Sequence, residues 1–200
     1  MSKKIGIFGG TFDPVHMAHL HMAECALEQA KLDKVIFIPN GTPPHKSNSG
    51  ITPAEHRYNM LVLATEDNPR FEVSDYELTK GGLCYTVDTM RYYKAEYPDD
   101  EFLFILGADS LDYLHRWHDG INLIRENNFL VAVRDFRQGY DIEDNIRQIT
   151  AMGGKVELVH MPPMDISATY IRHNISRGDS AESLIHHKVA QYIRDKELYK

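Results

Sequence analysis

Short, continuously apolar runs alternate along the chain with stretches of helical periodicity. Ile5-Gly6-Ile7-Phe8 is the first run, Val35-Ile36-Phe37-Ile38 the heart of the second, within residues 34–39. Residues 71–74, 102–106, 129–133 and 156–159 give four more, so six strands are predicted. Between the first two, Leu20, Ala23, Ala26, Leu27 and Ala30 keep helical spacing inside a helix expected over 15–31. Further helices are expected over 53–65, where Pro53 suits a first turn, over 86–96, through 111–114, over 121–126 and near 142–152. The chain closes with helices over 168–176 and 181–198. Residues 40–52, rich in Pro, Gly, Asn and Ser, and the polar stretch 75–84 with Gly81-Gly82 lack a period and read as loops.

Strands that are apolar on both faces and alternate with helices belong to βαβ units in a parallel sheet covered on both sides. Such crossovers are almost always right-handed. The expected fold is therefore α/β: a doubly wound, Rossmann-like, mostly parallel sheet with helices on both faces and a C-terminal helical segment over about 167–200. With 200 residues and no internal repeat or linker, a single domain over 1–200 is expected. In folds of this kind ligands bind beyond the carboxyl ends of the strands, so the polar residues just after each strand carry the information.

Composition narrows the partners. A net charge of −7, from 29 acidic and 22 basic residues, disfavours a long polynucleotide. A small anionic substrate remains compatible, provided its site is locally basic. The apolar runs are far too short to span a membrane. Cys25 and Cys84 have no CxxC spacing and no signal peptide precedes the first strand, which points to reduced thiols in a cytoplasmic protein. Oligomeric state is not legible in the sequence.

The first strand opens into Gly9-Gly10-Thr11-Phe12-Asp13, and His16 and His19 follow three positions apart at the start of a helix. Glycines that admit backbone N–H groups, a helix N-terminus with its unpaired donors, and two imidazoles on one helical face together suit a phosphate. The turn is neither G-x-G-x-x-G nor a P-loop. A tight structural turn, half of a metal site and a phosphate site all remain open for it taken alone. A second helix start, Asp165-Ile166-Ser167-Ala168-Thr169-Tyr170-Ile171-Arg172, offers Ser167 as N-cap, Thr169 in the first turn and a guanidinium one turn on. Gly41-Thr42-Pro43-Pro44-His45-Lys46 follows the second strand, Gly107-Ala108-Asp109 the fourth. Cys84-Tyr85-Thr86-Val87-Asp88 and Trp117, the one tryptophan, supply aromatic surface.

Taken together, G-G-T-F-D-P-V-H-x-x-H near the start and I-S-x-T-x-I-R near the end resemble the nucleotidyltransferase superfamily with the H-x-G-H signature. With P-P-H-K, Y-T-x-D-T, G-A-D and Trp117 in the same order, nearly the whole chain resembles the bacterial nicotinate-nucleotide adenylyltransferases. The resemblance implies transfer of the adenylyl group of ATP to nicotinate mononucleotide, giving the deamido dinucleotide and pyrophosphate in NAD synthesis. It implies that His16 and His19 bind the ATP phosphates and stabilise the transition state, with Arg172. It assigns Gly9, Gly10, Thr11, Phe12, Gly107, Asp109, Ser167 and Thr169 to ATP. Lys46, Tyr85, Thr86, Trp117 and Arg134 fall to the mononucleotide. Mg²⁺ is expected on the ATP phosphates, with no dedicated protein metal site.

The chain departs from the family pattern at Ala18 (usually Gly), Cys84 and Ala168 (usually Ser), and after Arg134, where Asp135-Phe136 replaces Pro-Gly. Two alternatives share the motifs: the same chemistry on nicotinamide mononucleotide or pantetheine phosphate, and a nucleotide-binding sensor without turnover.

Overall fold

A computed structural model describes residues 2–41, 50–134 and 142–200, with the backbone alone at Arg134. Its six strands are β1 (Lys4–Gly10), β2 (Lys34–Pro39), β3 (Phe71–Val73), β4 (Glu101–Gly107), β5 (Asn128–Arg134) and β6 (Lys155–Met161), in the sheet order β3-β2-β1-β4-β5-β6. β1 runs parallel to β4 with Ile5 opposite Phe102 and Ile7 opposite Phe104. β4 and β5 pair with Ile105 opposite Leu130, β5 and β6 with Ala132 opposite Val159, both parallel. This is the doubly wound α/β architecture expected from the alternation of runs.

Position in the sheet explains the pattern of each strand. The middle strands β1, β2, β4 and β5 carry continuous buried runs, such as Phe102–Ile105 in β4 and Val35–Ile38 in β2. The edge strands do not. β3 has three residues, and β6 leaves Lys155, Glu157 and His160 exposed while burying Val159 and Met161. Short or charged edges discourage pairing with other chains.

The helices are α1 (Met17–Gln29), α2 (Ala54–Thr65), α3 (Tyr76–Lys80), α4 (Thr86–Glu96), α5 (Gly120–Glu126), α6 (Ile142–Ala151), α7 (Ala168–Ser176) and α8 (His187–Asp195). Three differ from the sequence expectation. The polar stretch 75–84 contains the short α3, whose five residues are too few to display a period. Residues Ala108–Arg116, expected to be α-helical around 111–114, form a 3₁₀ helix. The last expected helix divides into a 3₁₀ turn at Glu182–Leu184 and α8, because Ile185 and His186 are extended.

Contacts gather into two compact units, each assembled from several chain segments. The first comprises Met1–Gly9, Met22–Ile36 and Tyr85–Pro163, and its core includes Ile7, Ala23, Leu27, Met90, Phe104, Leu123 and Leu130. The second comprises Gly10–His21, Phe37–Cys84 and Met164–Lys200. There α2 packs on α8, burying Met60, Leu61, Val189 and Ile193. The Tyr192 hydroxyl meets His56 Nδ1 at 2.8 Å and accepts from Asn59 Nδ2 at 3.1 Å.

Candidate active site

The turn that follows β1 lies in the second unit. Phe12 takes the left-handed conformation at φ 48°, folding its ring over Gly10. A Cβ on Gly10 would stand 2.9 Å from that ring and would push it aside. His16 O then accepts from His19 N–H at 2.9 Å and Leu20 N–H at 3.3 Å, launching α1 from His16.

This geometry brings the two histidines together. Their rings stack with centroids 3.6 Å apart and 19° between planes, and Phe12 meets His19 edge-on at 5.1 Å. The backbone N–H of His16 donates to His19 Nδ1 at 3.3 Å. A ring nitrogen that accepts carries no proton, so the neutral His19 ring keeps its proton on Nε2. The pair therefore presents an imidazole N–H donor beside the N-terminus of α1. Ala18, the second residue of α1, is 2% exposed and belongs to the core.

α7 supplies the second expected phosphate motif within the same unit. Ser167 caps it as predicted, its Oγ accepting from Tyr170 N–H at 3.2 Å. Arg172, one turn on, reaches the signature turn itself: Nη1 donates to Asp13 O at 2.7 Å and Nη2 to Thr169 Oγ1 at 3.4 Å. A contact between residues 159 positions apart thus joins the two motifs.

Arg57 was invisible to the sequence reading as a site residue, yet it organises the surroundings. Only 1% exposed, it donates through Nε to Thr52 O (2.9 Å), through Nη1 to Thr11 O (2.9 Å), and through Nη2 to Asn40 O (2.7 Å) and Gly41 O (3.1 Å). One guanidinium ties the turn after β1, the end of β2 and the approach to α2. Burial draws its pKa down, while Asp13, Tyr199 and Glu77 hold the charge in place. Its signal in the sequence was positional: Arg57, Met60, Leu61 and Ala64 share one helical face, and all are buried.

The remaining candidates lie in the first unit or outside the described residues. Gly107 ends β4, and a Cβ there would stand 2.6 Å from Asp109 Oδ1, so the carboxylate folds back over the glycine. Tyr85 is extended and opens α4, its carbonyl accepting from Asp88 and Thr89 N–H, with Thr86 the first helical residue. The Tyr85 ring stacks on His118 at 3.7 Å, a partner without a sequence signal. Trp117 closes the 3₁₀ helix, half-buried and edge-on to Phe104 at 6.2 Å. Lys46 lies outside the described residues, as does the Arg134 side chain at the end of β5. Cys84 is buried in the second unit and its thiol donates to Glu77 O at 3.6 Å. Among the described residues no group of three or more His, Cys, Asp or Glu side chains is placed to hold a metal ion, and no helix is long and apolar enough to cross a membrane.

Comparison with known proteins identifies the family. The family described as cytidylyltransferase-like matches residues 7–174, a span that runs through both units. A protein of Moorella thermoacetica named "Probable nicotinate-nucleotide adenylyltransferase" is 41% identical over 98% of this chain and 92% of its own length. A Listeria innocua protein of the same name is 40% identical over 100% and 98%. The Plasmodium falciparum nicotinic acid mononucleotide adenylyltransferase, solved in complex with NaAD, superimposes with a TM-score of 0.82 over 98% of this chain and 97% of that one. At 23% identity that likeness speaks for the fold. The chain belongs to the cytidylyltransferase-like family and, within it, to the nicotinate-nucleotide adenylyltransferases.

Proposed function

We propose that this chain transfers the adenylyl group of ATP to nicotinate mononucleotide, giving nicotinate adenine dinucleotide and pyrophosphate for NAD synthesis. The observation that carries the reading is the stacked His16–His19 pair at the start of α1, in a turn bound by Arg172 from the other phosphate motif.

A 5′-phosphate oxygen of the mononucleotide attacks the α-phosphorus of ATP. The bond from that phosphorus to the bridging oxygen breaks, and the electron pair leaves with pyrophosphate. The attacking phosphate is already a competent nucleophile, so catalysis consists of alignment and stabilisation of charge. His16, His19 and Arg172 meet the phosphate charge. Ser167, Thr169 and the backbone of Gly9, Gly10, Thr11 and Phe12 line the nucleotide, and Gly107 and Asp109 hold the adenosine side. Tyr85, Thr86 and Trp117 receive the pyridine ring and its carboxylate, with Lys46 and Arg134 on the mononucleotide phosphate.

A Mg²⁺ ion carried by the ATP phosphates would supply neutralisation of triphosphate charge, beside His16, His19 and Arg172. The groups around the signature turn fit an ion carried by substrate: the Asp13 carboxyl is engaged by Tyr199 and Thr52, and His16, His19, Thr169 and Arg172 are imidazoles, a hydroxyl and a guanidinium. The family match across both units supports one catalytic domain over 1–200. We place the protein in the cytoplasm, on the reading of Cys25 and Cys84 as thiols without CxxC spacing.

A panel of acceptors tests the assignment, with ATP, Mg²⁺ and pyrophosphate release as readout. Nicotinate mononucleotide is expected to exceed nicotinamide mononucleotide in kcat/KM by about 10- to 100-fold, the worth of hydrogen bonds to a charged carboxylate. A preference for the amide or for pantetheine phosphate overturns the choice of acceptor.

A further inference from the structure

α8 ends in a left-handed reversal. Leu198 N–H donates to Ile193 O at 3.0 Å, Glu197 N–H donates to Arg194 O at 3.1 Å, and Glu197 sits at φ 54°. This is the Schellman pattern, whose left-handed position glycine ordinarily fills. Tyr199 follows, left-handed as well at φ 66°. Two non-glycine residues in that region within three positions persist only where their surroundings hold them. The Tyr199 phenol provides the hold: it is directed inward, its hydroxyl 2.7 Å from Asp13 Oδ1 and 4.0 Å from Met60 Sδ.

Asp13 is the residue on which the signature turn converges. It is 5% exposed, three positions before His16, and each of its oxygens accepts a bond from a different part of the second unit. Oδ1 accepts from the Tyr199 hydroxyl, Oδ2 from Thr52 N–H at 3.2 Å, and the backbone oxygen from Arg172 Nη1 at 2.7 Å. We infer that Tyr199 is a positioning residue for adenylyl transfer, acting through Asp13 on the turn that carries His16 and receives Arg172. This rests on the functional reading above. Burial, reinforced by Asp13, pushes the phenol far above the ordinary tyrosine range, so its O–H remains a donor at working pH. A buried carboxyl oxygen deprived of its donor re-seeks one. The carboxyl of Asp13 then rotates, and with it the backbone that aims His16 and takes the Arg172 bond.

The test compares wild type, Tyr199→Phe and Lys200→Ala in the full chain. Each is assayed with ATP against the acceptor panel, and its melting temperature is recorded. Tyr199→Phe keeps the ring and removes the hydroxyl. Its kcat is expected to fall by about 10-fold or more, as for a misaligned reacting group, with both KM values within ~3-fold of wild type. Lys200→Ala removes only an exposed ion pair with Glu197 and is expected to keep kcat within about 2-fold. A Tyr199→Phe protein with wild-type kcat, whether or not its melting temperature drops, overturns the proposal: the residue is then structural or idle. If that variant fails to fold, Tyr199→Met, which likewise carries no donor, serves in its place and is read the same way. The wild-type rate with nicotinate mononucleotide alone tests the functional reading. If wild type prefers another acceptor, the ratio of rates is taken on that acceptor; if it turns over none, both readings fall.

Discussion

Replacement of His19 by alanine is expected to lower kcat by at least ~10²-fold, the loss that follows removal of one preorganised donor to transition-state charge. The expectation comes from the imidazole's setting. Its Nδ1 accepts from the His16 N–H, which assigns the proton of the neutral ring to Nε2, the atom proposed to meet an oxygen of the transferring phosphate. Its face lies on His16, so the substitution also removes the ring that fixes the orientation of the second imidazole. Ground-state contacts to the acceptor come from other residues, and the acceptor KM should change little. Initial rates of pyrophosphate release for wild type and His19→Ala decide the matter, and near-normal turnover in the variant removes the residue from its assigned role.

Arg57→Met carries the largest expected cost to stability. Methionine fills much of the volume but donates nothing, so the carbonyls of Thr11, Asn40, Gly41 and Thr52 lose their partner together. A buried acceptor left without a donor costs about 1–3 kcal/mol. Allowing for relaxation and entry of water at the half-exposed Gly41, the sum comes to roughly 3–5 kcal/mol. For a chain of this size the melting temperature then falls on the order of 10 °C. Arginine stays protonated across the accessible pH range, so the deficit should be as large at mildly acidic as at mildly basic pH. Thermal unfolding followed by circular dichroism measures it, and a loss under about 1 kcal/mol contradicts the role given to Arg57.

These two residues also mark what a sequence can convey. His16 and His19 were legible because glycines, a helix start and an i, i+3 spacing are local features, and local spacing fixes where side chains point. Arg57 was not, since a charged residue in a helix ordinarily faces water, and its acceptors sit on three separate segments. Tyr199 was hidden for a related reason: nothing adjacent to it names Asp13, 186 positions away. The fold follows the same division. The buried middle strands announced themselves as apolar runs, whereas α3 was too short and polar, and the break at Ile185-His186 too slight, to leave a pattern. Ser167 shows the favourable case, a cap whose residue type and position agree and whose bond to Tyr170 is present.

The central claim is that His16 and His19 hold phosphate charge while the acceptor attacks ATP directly, so that no histidine ever carries the adenylyl group. The stereochemical course at the α-phosphorus tests this most directly. ATP bearing a chiral α-thiophosphate is converted with nicotinate mononucleotide, and the configuration of the dinucleotide product is determined. A single in-line displacement inverts the phosphorus, and inversion is the predicted result. Retention, the mark of two successive displacements through an adenylyl-histidine, would contradict the account.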